Sequence, residues 1–122
     1  MIAKIKPPSI SANALTKHAL RVLTICGYHV WRQNNGGVYD ATLKKFRANS
    51  ATKGISDIIG FHRHTGRFIA CEIKAGKDAL SAEQDRFLSD VRQAGGVGMV
   101  IRSIDHLETF LKENKKLTNG TE

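Results

Sequence analysis

The sequence predicts an α/β fold in which a mixed β-sheet is flanked by helices on both faces. Apolar residues repeat at helical spacing near the start, two apolar segments flank the turn RHTG, and a capped helix separates the second segment from another short strand. A strand, a helix and a strand in succession imply a crossover and a parallel pair. The hairpin adds an antiparallel pair, which makes the sheet mixed.

The first helix is expected to begin at Ser11 and to stop at Gly27, because a stripe of apolar positions ends just before this glycine. The stripe consists of Leu15, Ala19, Val22 and Cys26. The segment YHVWRQ that follows is typical of a strand, and NNGG after it is typical of a turn. Residues 38–54 have no clean period and are expected to form the remnant of a strand and a basic loop.

The segment ISDIIGFHRHTGRFIACEIK predicts a hairpin around its turn. The segment LSAEQDRFLSDVRQAGG then predicts a helix, which Ser81 caps, Gln84 supports through a capping box and Gly95 ends. VGMVIR is expected to be a short buried strand, and Ser103 is expected to cap a last amphipathic helix.

Length and charge restrict the function classes. The 122 residues suit one domain, expected at residues 11–114, with a basic arm at 1–10 and a flexible tail at 115–122. The formal net charge of +8 favours a polyanionic partner, nucleic acid before a membrane surface. No apolar run approaches the ~20 residues of a membrane span, and no signal peptide is recognisable. We therefore expect a cytoplasmic protein with reduced cysteines.

The hairpin is expected to bring two carboxylates together. If it is symmetric about the central pair HT of its turn, Asp57 lies opposite Glu72, and Lys74 shares their face. The flanking positions are apolar on both faces, so these charges sit at one end of shielded strands. A divalent cation such as Mg²⁺ or Mn²⁺ would offset the repulsion and the desolvation, with the backbone carbonyl of Ile73 as a further ligand. The alternative is a cross-strand ion cluster in which Lys74 neutralises one acid.

These residues resemble a known family. KGISDIIG followed by CEIKAGKDALSAEQ is similar to the PD-(D/E)XK nuclease superfamily, and within it to the stand-alone VRR-NUC nucleases, which are often phage-encoded. The resemblance continues through the following helix, strand and last helix, and GYHVWRQNNGG is similar to the family's first strand and loop. It implies a restriction-endonuclease-like fold and a VRR-NUC-like nuclease domain at residues 11–114.

The resemblance assigns roles to the strand residues. Asp57 and Glu72 would hold Mg²⁺ together with the carbonyl of Ile73, and Lys74 would orient the attacking water or stabilise charge in the transition state. Gln84 matches a glutamine on the family's second helix, a role that is compatible with its capping box.

The first helix departs from the family pattern. The family usually carries a Glu there, whereas SISANALTK contains no acid, and Asn13 is the candidate replacement. An amide can hold a metal-bound water, but it supplies no charge. The departure leaves the number of metal ions open.

The implied function is that of a Mg²⁺-dependent, structure-specific DNA endonuclease, with Mn²⁺ as a substitute metal. Its expected substrate is branched DNA such as Holliday junctions, its expected assembly a homodimer, and its setting a bacterial or phage-infected cell. The alternative is a non-catalytic or weakly active DNA-binding relative that has lost full metal binding.

Basic and aromatic residues provide candidate DNA contacts. The candidate phosphate contacts are Lys44, Lys45, Arg47, Lys53 and Lys77. The alternative is that these residues form a charged segment that is simply exposed to solvent. Trp31 and Tyr39 are candidates for stacking on bases, with packing at the edge of the core as the alternative.

Overall fold

The computed structural model describes residues 10–33, 38–47 and 53–119, with side chains described for 10–33, 41–44 and 53–114. The predicted N-terminal arm, apart from Ile10, lies outside these ranges. In chain order the elements are α1 (Ala12–Ile25), β1 (Tyr28–Arg32), β2 (Val38–Asp40), β3 (Lys45–Arg47), β4 (Ile58–His62), β5 (Phe68–Ile73), α2 (Ala82–Gln93), β6 (Val97–Ile101) and α3 (Ile104–Asn119).

The main sheet has four strands in the order β1-β4-β5-β6, and β2 pairs with β3 in a separate two-stranded sheet. The β1–β4 and β4–β5 pairs are antiparallel, and the β5–β6 pair, which α2 connects, is parallel. This confirms the predicted α/β class with a mixed sheet and helices on both faces, an architecture consistent with a restriction-endonuclease-like fold.

The predicted register of the central hairpin is confirmed. Ile58 pairs with Cys71 and Phe61 with Phe68, and the His62 N–H donates to the carbonyl of Arg67 at 2.8 Å. The loop between the strands therefore has four residues, 63–66. Continuing this ladder by one step places Asp57 opposite Glu72.

The two faces of the sheet carry separate apolar clusters. One face packs against α1 and α3 and includes Leu15, Leu23, Ile58, Ile69, Cys71, Ile73, Ile101 and Leu107. The other packs against α2 and includes Ile59, Ala70, Leu88 and Val91. Successive strand residues point to opposite faces, so Asp57 and Glu72 lie on the α2 face.

The helix ends follow local sequence. The Ser11 side chain caps α1, and Gly27, with φ 95°, ends it in the left-handed region. The last helix reaches Asn119, beyond the predicted domain end at residue 114, because ENKKLTN contains no glycine or proline to stop it. In the part of the chain that the structure describes, no helix is long and apolar enough to cross a membrane.

Candidate active site

Asp57 joins the ends of three strands. It directly precedes β4, and its backbone carbonyl accepts a hydrogen bond from the Gln33 N–H, just after β1, at 2.7 Å. Its side-chain Oδ2 accepts from the Ile73 N–H, at the end of β5, at 2.8 Å. These two bonds hold the carboxylate against the end of the sheet.

Glu72 is a buried carboxylate with one unpaired oxygen. It is 2% exposed, and its Oε1 accepts a hydrogen bond from Gln84 Nε2 at 3.1 Å. No donor within the described residues reaches its buried Oε2. An ionised carboxylate in this position is costly because it has lost water without gaining a full set of donors.

Gln84 connects the start of α2 to this carboxylate. Its Oε1 accepts from the Ser81 N–H at 2.9 Å, and its own N–H donates to Ser81 Oγ at 3.1 Å, which completes the predicted capping box. Because the Ser81 N–H requires an acceptor, the amide must turn its NH₂ group toward Glu72. The same side chain therefore completes the predicted cap and also contacts Glu72.

The pKa of Glu72 is raised from 4.5 to about 8. Burial is the largest cause, followed by a hydrogen bond with Asp57 and by repulsion from the Asp57 charge, whereas the Lys74 ammonium lowers this pKa. A proton on Glu72 supplies the donor for the bond to Asp57, so the neutral form relieves both the unpaired oxygen and the repulsion.

Asp57 and Glu72 together fit one divalent cation. The unpaired Oε2 of Glu72 and the adjacent Asp57 carboxylate offer oxygen ligands, which Mg²⁺ and Mn²⁺ prefer. Among the described residues, no group of three or more His, Cys, Asp or Glu side chains could share a metal ion. The Asp57 and Glu72 carboxylates are the pair that would hold such a cation.

The loop after β5 carries two cationic side chains and is anchored by a third. The backbone N–H of Lys74 donates to the Ile101 carbonyl at 3.0 Å, which extends the β5–β6 pairing by one residue. The Arg102 guanidinium donates to the carbonyls of Gly76 at 3.1 Å and Asp78 at 2.7 Å. Sequence reasoning missed Arg102, because nothing local to it indicates that it ties this loop to the end of β6.

Asn13 lies at the same end of the sheet as the carboxylates but on the side of α1, where its side chain binds Arg32. Its Oδ1 accepts a hydrogen bond from Arg32 at 2.8 Å, and Arg32 pairs across the sheet with Ile58, the residue after Asp57. The first helix thus begins at the same end of the sheet as the carboxylates. At this end it holds a guanidinium in place, and the arginine was not predicted from the sequence.

The predicted phosphate contacts lie partly on the segments next to the two carboxylates and partly on the β2–β3 hairpin. Lys53 and Lys77 are exposed, and so is Lys44, whose φ of 54° places it in the left-handed turn between β2 and β3. The predicted strand remnant and basic loop are therefore a short hairpin at β2–β3. Lys45 and Arg47 lie on β3, and their side chains fall outside the described residues, as does that of Tyr39.

Gly54 packs closely against the first turn of α2, which carries Gln84. Its φ is 75°, and a Cβ placed on it would lie 2.3 Å from the carbonyl carbon and oxygen of Glu83 and 2.7 Å from the backbone nitrogen of Gln84. The glycine of KGISD therefore lets the segment before Asp57 lie directly on the first turn of α2. Any side chain here must displace the turn that carries Gln84.

The substitution Gly54→Ala is expected to destabilise the protein and to impair the site. Gly66→Ala is the matched control, because Gly66 has a similar φ of 74° but nothing within 4 Å of the added Cβ. We expect Gly54→Ala to lower the free energy of unfolding by about 1–3 kcal/mol more than Gly66→Ala does, since only Gly54 meets backbone. Denaturant unfolding of the two variants measures the difference, and equal losses would contradict the close packing of Gly54 on α2.

Comparison with known families identifies a domain in this chain. A model of the VRR-NUC domain matches residues 29–104, a range that contains Asp57, Glu72, Lys74 and Gln84. No significant match was found among curated proteins or among solved structures. Because the matched range covers more than half of the 122 residues, the chain belongs to the VRR-NUC family, and its function is that of a nuclease acting on DNA.

Proposed function

We propose that this protein is a Mg²⁺-dependent, structure-specific DNA endonuclease of the PD-(D/E)XK superfamily. The observation that carries the proposal is the pairing of Asp57 with Glu72, whose buried Oε2 has no donor among the described residues. Two neighbouring acids, one of which has a buried oxygen without a donor, are unfavourable in their ionised forms unless a proton or a cation lies between them. A bound Mg²⁺ would polarise the scissile phosphate and lower the pKa of a coordinated water.

The residues of the chain have separable tasks in this proposal. Asp57 and Glu72, with the carbonyl of Ile73, hold the metal, and the Ile73 N–H orients Asp57 through its 2.8 Å bond to Oδ2. Gln84 orients Glu72 by donating to Oε1 and leaves Oε2 for the metal. Lys74 follows directly on β5, and its ammonium is close enough to Glu72 to lower its pKa. We assign Lys74 the stabilisation of negative charge on the phosphate in the transition state.

DNA binding is assigned to exposed cations. Lys53 and Lys77 are exposed on the segments that lead into Asp57 and away from Lys74, and Lys44 is exposed on the β2–β3 turn. Lysines contact phosphate oxygens without reading sequence, so they suit recognition of DNA shape. We propose branched DNA such as a Holliday junction as the substrate. A homodimer would then supply two sites for paired cuts, in a bacterial or phage-infected cell.

The second candidate function is DNA binding with weak or absent cleavage. It is favoured by Asn13, which binds Arg32 where the family usually places an acid, and by the absence of a third His, Cys, Asp or Glu beside the two carboxylates among the described residues. Against it stands the intact set of Asp57, Glu72, Lys74 and Gln84.

The test is cleavage of a labelled four-way junction and of a linear duplex with the same arm sequence. Each is incubated with the protein in Mg²⁺, in Mn²⁺ and in EDTA, with Glu72→Ala in parallel. We expect metal-dependent cutting by the wild type only, with paired nicks in the junction. Tight binding without cutting in either metal would reject the nuclease proposal for this chain and favour the second candidate, whereas equal cutting of duplex and junction would reject the substrate.

A further inference from the structure

An exposed aromatic surface lies on the same face of the sheet as the two carboxylates. It consists of His29 and Trp31 on β1, Phe61 on β4 and Phe68 on β5, and we call it the aromatic face. Trp31 and Phe61 are each 42% exposed, and Phe68 is 39% exposed. The His29 ring centroid lies 5.9 Å from that of Trp31 and 5.2 Å from that of Phe61, so the rings form a continuous surface.

The position of α2 explains why these rings are uncovered. This helix packs on β5 and β6, and its apolar cluster reaches only as far as Ile59 and Ala70 in the middle of the sheet. The sequence predicted strands covered on both sides, but among the described residues no helix packs on the β1–β4 part of this face. A contiguous group of exposed apolar rings is unusual for a protein surface and marks a binding region.

The aromatic face leads directly to the candidate active site. Trp31 pairs with Ile59, and Asp57 is two residues further along the same face of β4. Residues in this diagonal relation on an antiparallel pair lie roughly 7–8 Å apart. A group stacked on the Trp31 ring is therefore next to whatever the Asp57 carboxylate holds.

We propose that the aromatic face stacks unpaired bases of the DNA next to the phosphate that is cut, an inference that rests on the proposed nuclease function. Cations lie at both ends of the face. Lys74 is beside Glu72, and at the other end are the exposed Arg63 in the turn and Arg67 directly after it, whose Nε donates to the Gly95 carbonyl at 2.7 Å. Aromatic rings between cations are the pattern by which proteins bind single-stranded nucleic acid, since the rings stack on bases and the cations bind phosphates.

This arrangement selects among DNA structures. Bases in a continuous duplex are stacked on each other and cannot offer their faces to Trp31 or Phe61. Bases at a branch point, a flap or a gap can do so at a small unstacking cost. The aromatic face would thus give the nuclease a preference for DNA with unpaired bases beside the cut, without reading their sequence.

Trp31 provides a direct probe, because it is the single tryptophan of the chain. The full-length protein is titrated in EDTA, where no metal-dependent cleavage occurs, with a short oligothymidylate and with an abasic oligonucleotide of the same length and charge. We expect the oligothymidylate to quench the fluorescence of Trp31 and the abasic strand to leave it nearly unchanged. Equal responses to both strands, or no response to either, would overturn the proposal.

A pair of variants tests how much the aromatic face contributes to the affinity for oligothymidylate. Phe61→Ala is expected to weaken oligothymidylate binding about 5- to 100-fold, the effect of losing one stacked base, while its affinity for the abasic strand stays near that of the wild type. Ile25→Ala is the matched control, because Ile25 is 62% exposed at the end of α1 and away from the aromatic face. The proposal fails if the two variants bind oligothymidylate equally well.

The competing occupant is the same face of a second copy of the chain. Sedimentation of the wild type and of Phe61→Ala distinguishes this occupant from unpaired bases. If Phe61→Ala loses a dimer but keeps its affinity for oligothymidylate, base stacking is overturned in favour of a protein interface. The experiments also distinguish failure of base stacking from failure of the proposed nuclease function. Cleavage that requires Glu72 together with an unquenched Trp31 rejects only the stacking, whereas quenching without metal-dependent cleavage rejects only the nuclease.

Discussion

Glu72→Gln is expected to reduce metal-dependent DNA cleavage at least about 100-fold while leaving the fold intact. The substitution removes the charge that would hold the metal in the proposed function and keeps the shape of the side chain. The new amide oxygen still accepts from Gln84 Nε2, as Oε1 does at 3.1 Å, and the new NH₂ group stands where Oε2 has no donor among the described residues. It can donate to the neighbouring Asp57 carboxylate, so the loss of activity is not a consequence of unfolding.

The measurement is the single-turnover cleavage rate in Mg²⁺, together with the free energy of unfolding in denaturant. Glu108→Gln is the control, because Glu108 is an exposed acid on α3 and its substitution removes the same charge away from the site. If Glu72→Gln and Glu108→Gln cleave at the same rate, Glu72 does not hold a metal that the reaction needs.

The strand pairing at the site could be predicted from the sequence because it depends on short-range geometry. One symmetric hairpin fixes which residues face each other, so the pairing of Asp57 with Glu72 followed from the position of the turn. Gln84 was predictable for a similar reason, since the capping box fixes its distance from Ser81. These assignments needed no knowledge of how distant elements pack.

The contacts that sequence reasoning missed are contacts between distant segments. Gly54 lies against Glu83, and Arg102 bonds to the carbonyls of Gly76 and Asp78, with no local pattern to indicate either pairing. The exposure of Phe61 was missed because an apolar strand indicates burial but not the reach of the covering helix. The twelve-residue α2 packs on β5 and β6, and among the described residues no helix packs on the β1–β4 part of that face.

We expect the free energy of unfolding to depend on pH and on a divalent cation through Glu72. Without a divalent cation, we expect the free energy of unfolding to fall as pH rises from about 4.5 to about 8, the pKa values of Glu72 in the unfolded and folded protein. Between these values the folded state keeps a proton that the unfolded chain has lost, so a rise in pH favours unfolding. The slope from this one group is at most about 1.4 kcal/mol per pH unit.

Mg²⁺ should reverse this dependence, because it binds the carboxylates in place of the proton. At a concentration about 100 times its dissociation constant it would add about 2.7 kcal/mol to the free energy of unfolding. We expect most of this gain at pH 8, where Glu72 gives up its proton readily, and little at pH 5, where the proton competes. Glu72→Gln should show neither the fall with pH from this group nor the gain from Mg²⁺.

Thermal or denaturant unfolding of wild type and Glu72→Gln at pH 5 and pH 8, with Mg²⁺ and with EDTA, measures all of these terms at once. The difference between the two proteins isolates Glu72, because the other titrating groups, the five histidines among them, are shared. A Mg²⁺ gain that is equal at both pH values, or that survives Glu72→Gln, would locate the cation away from the two carboxylates. A gain confined to the wild type at high pH would instead place metal binding at Glu72, whose buried Oε2 has no donor among the described residues.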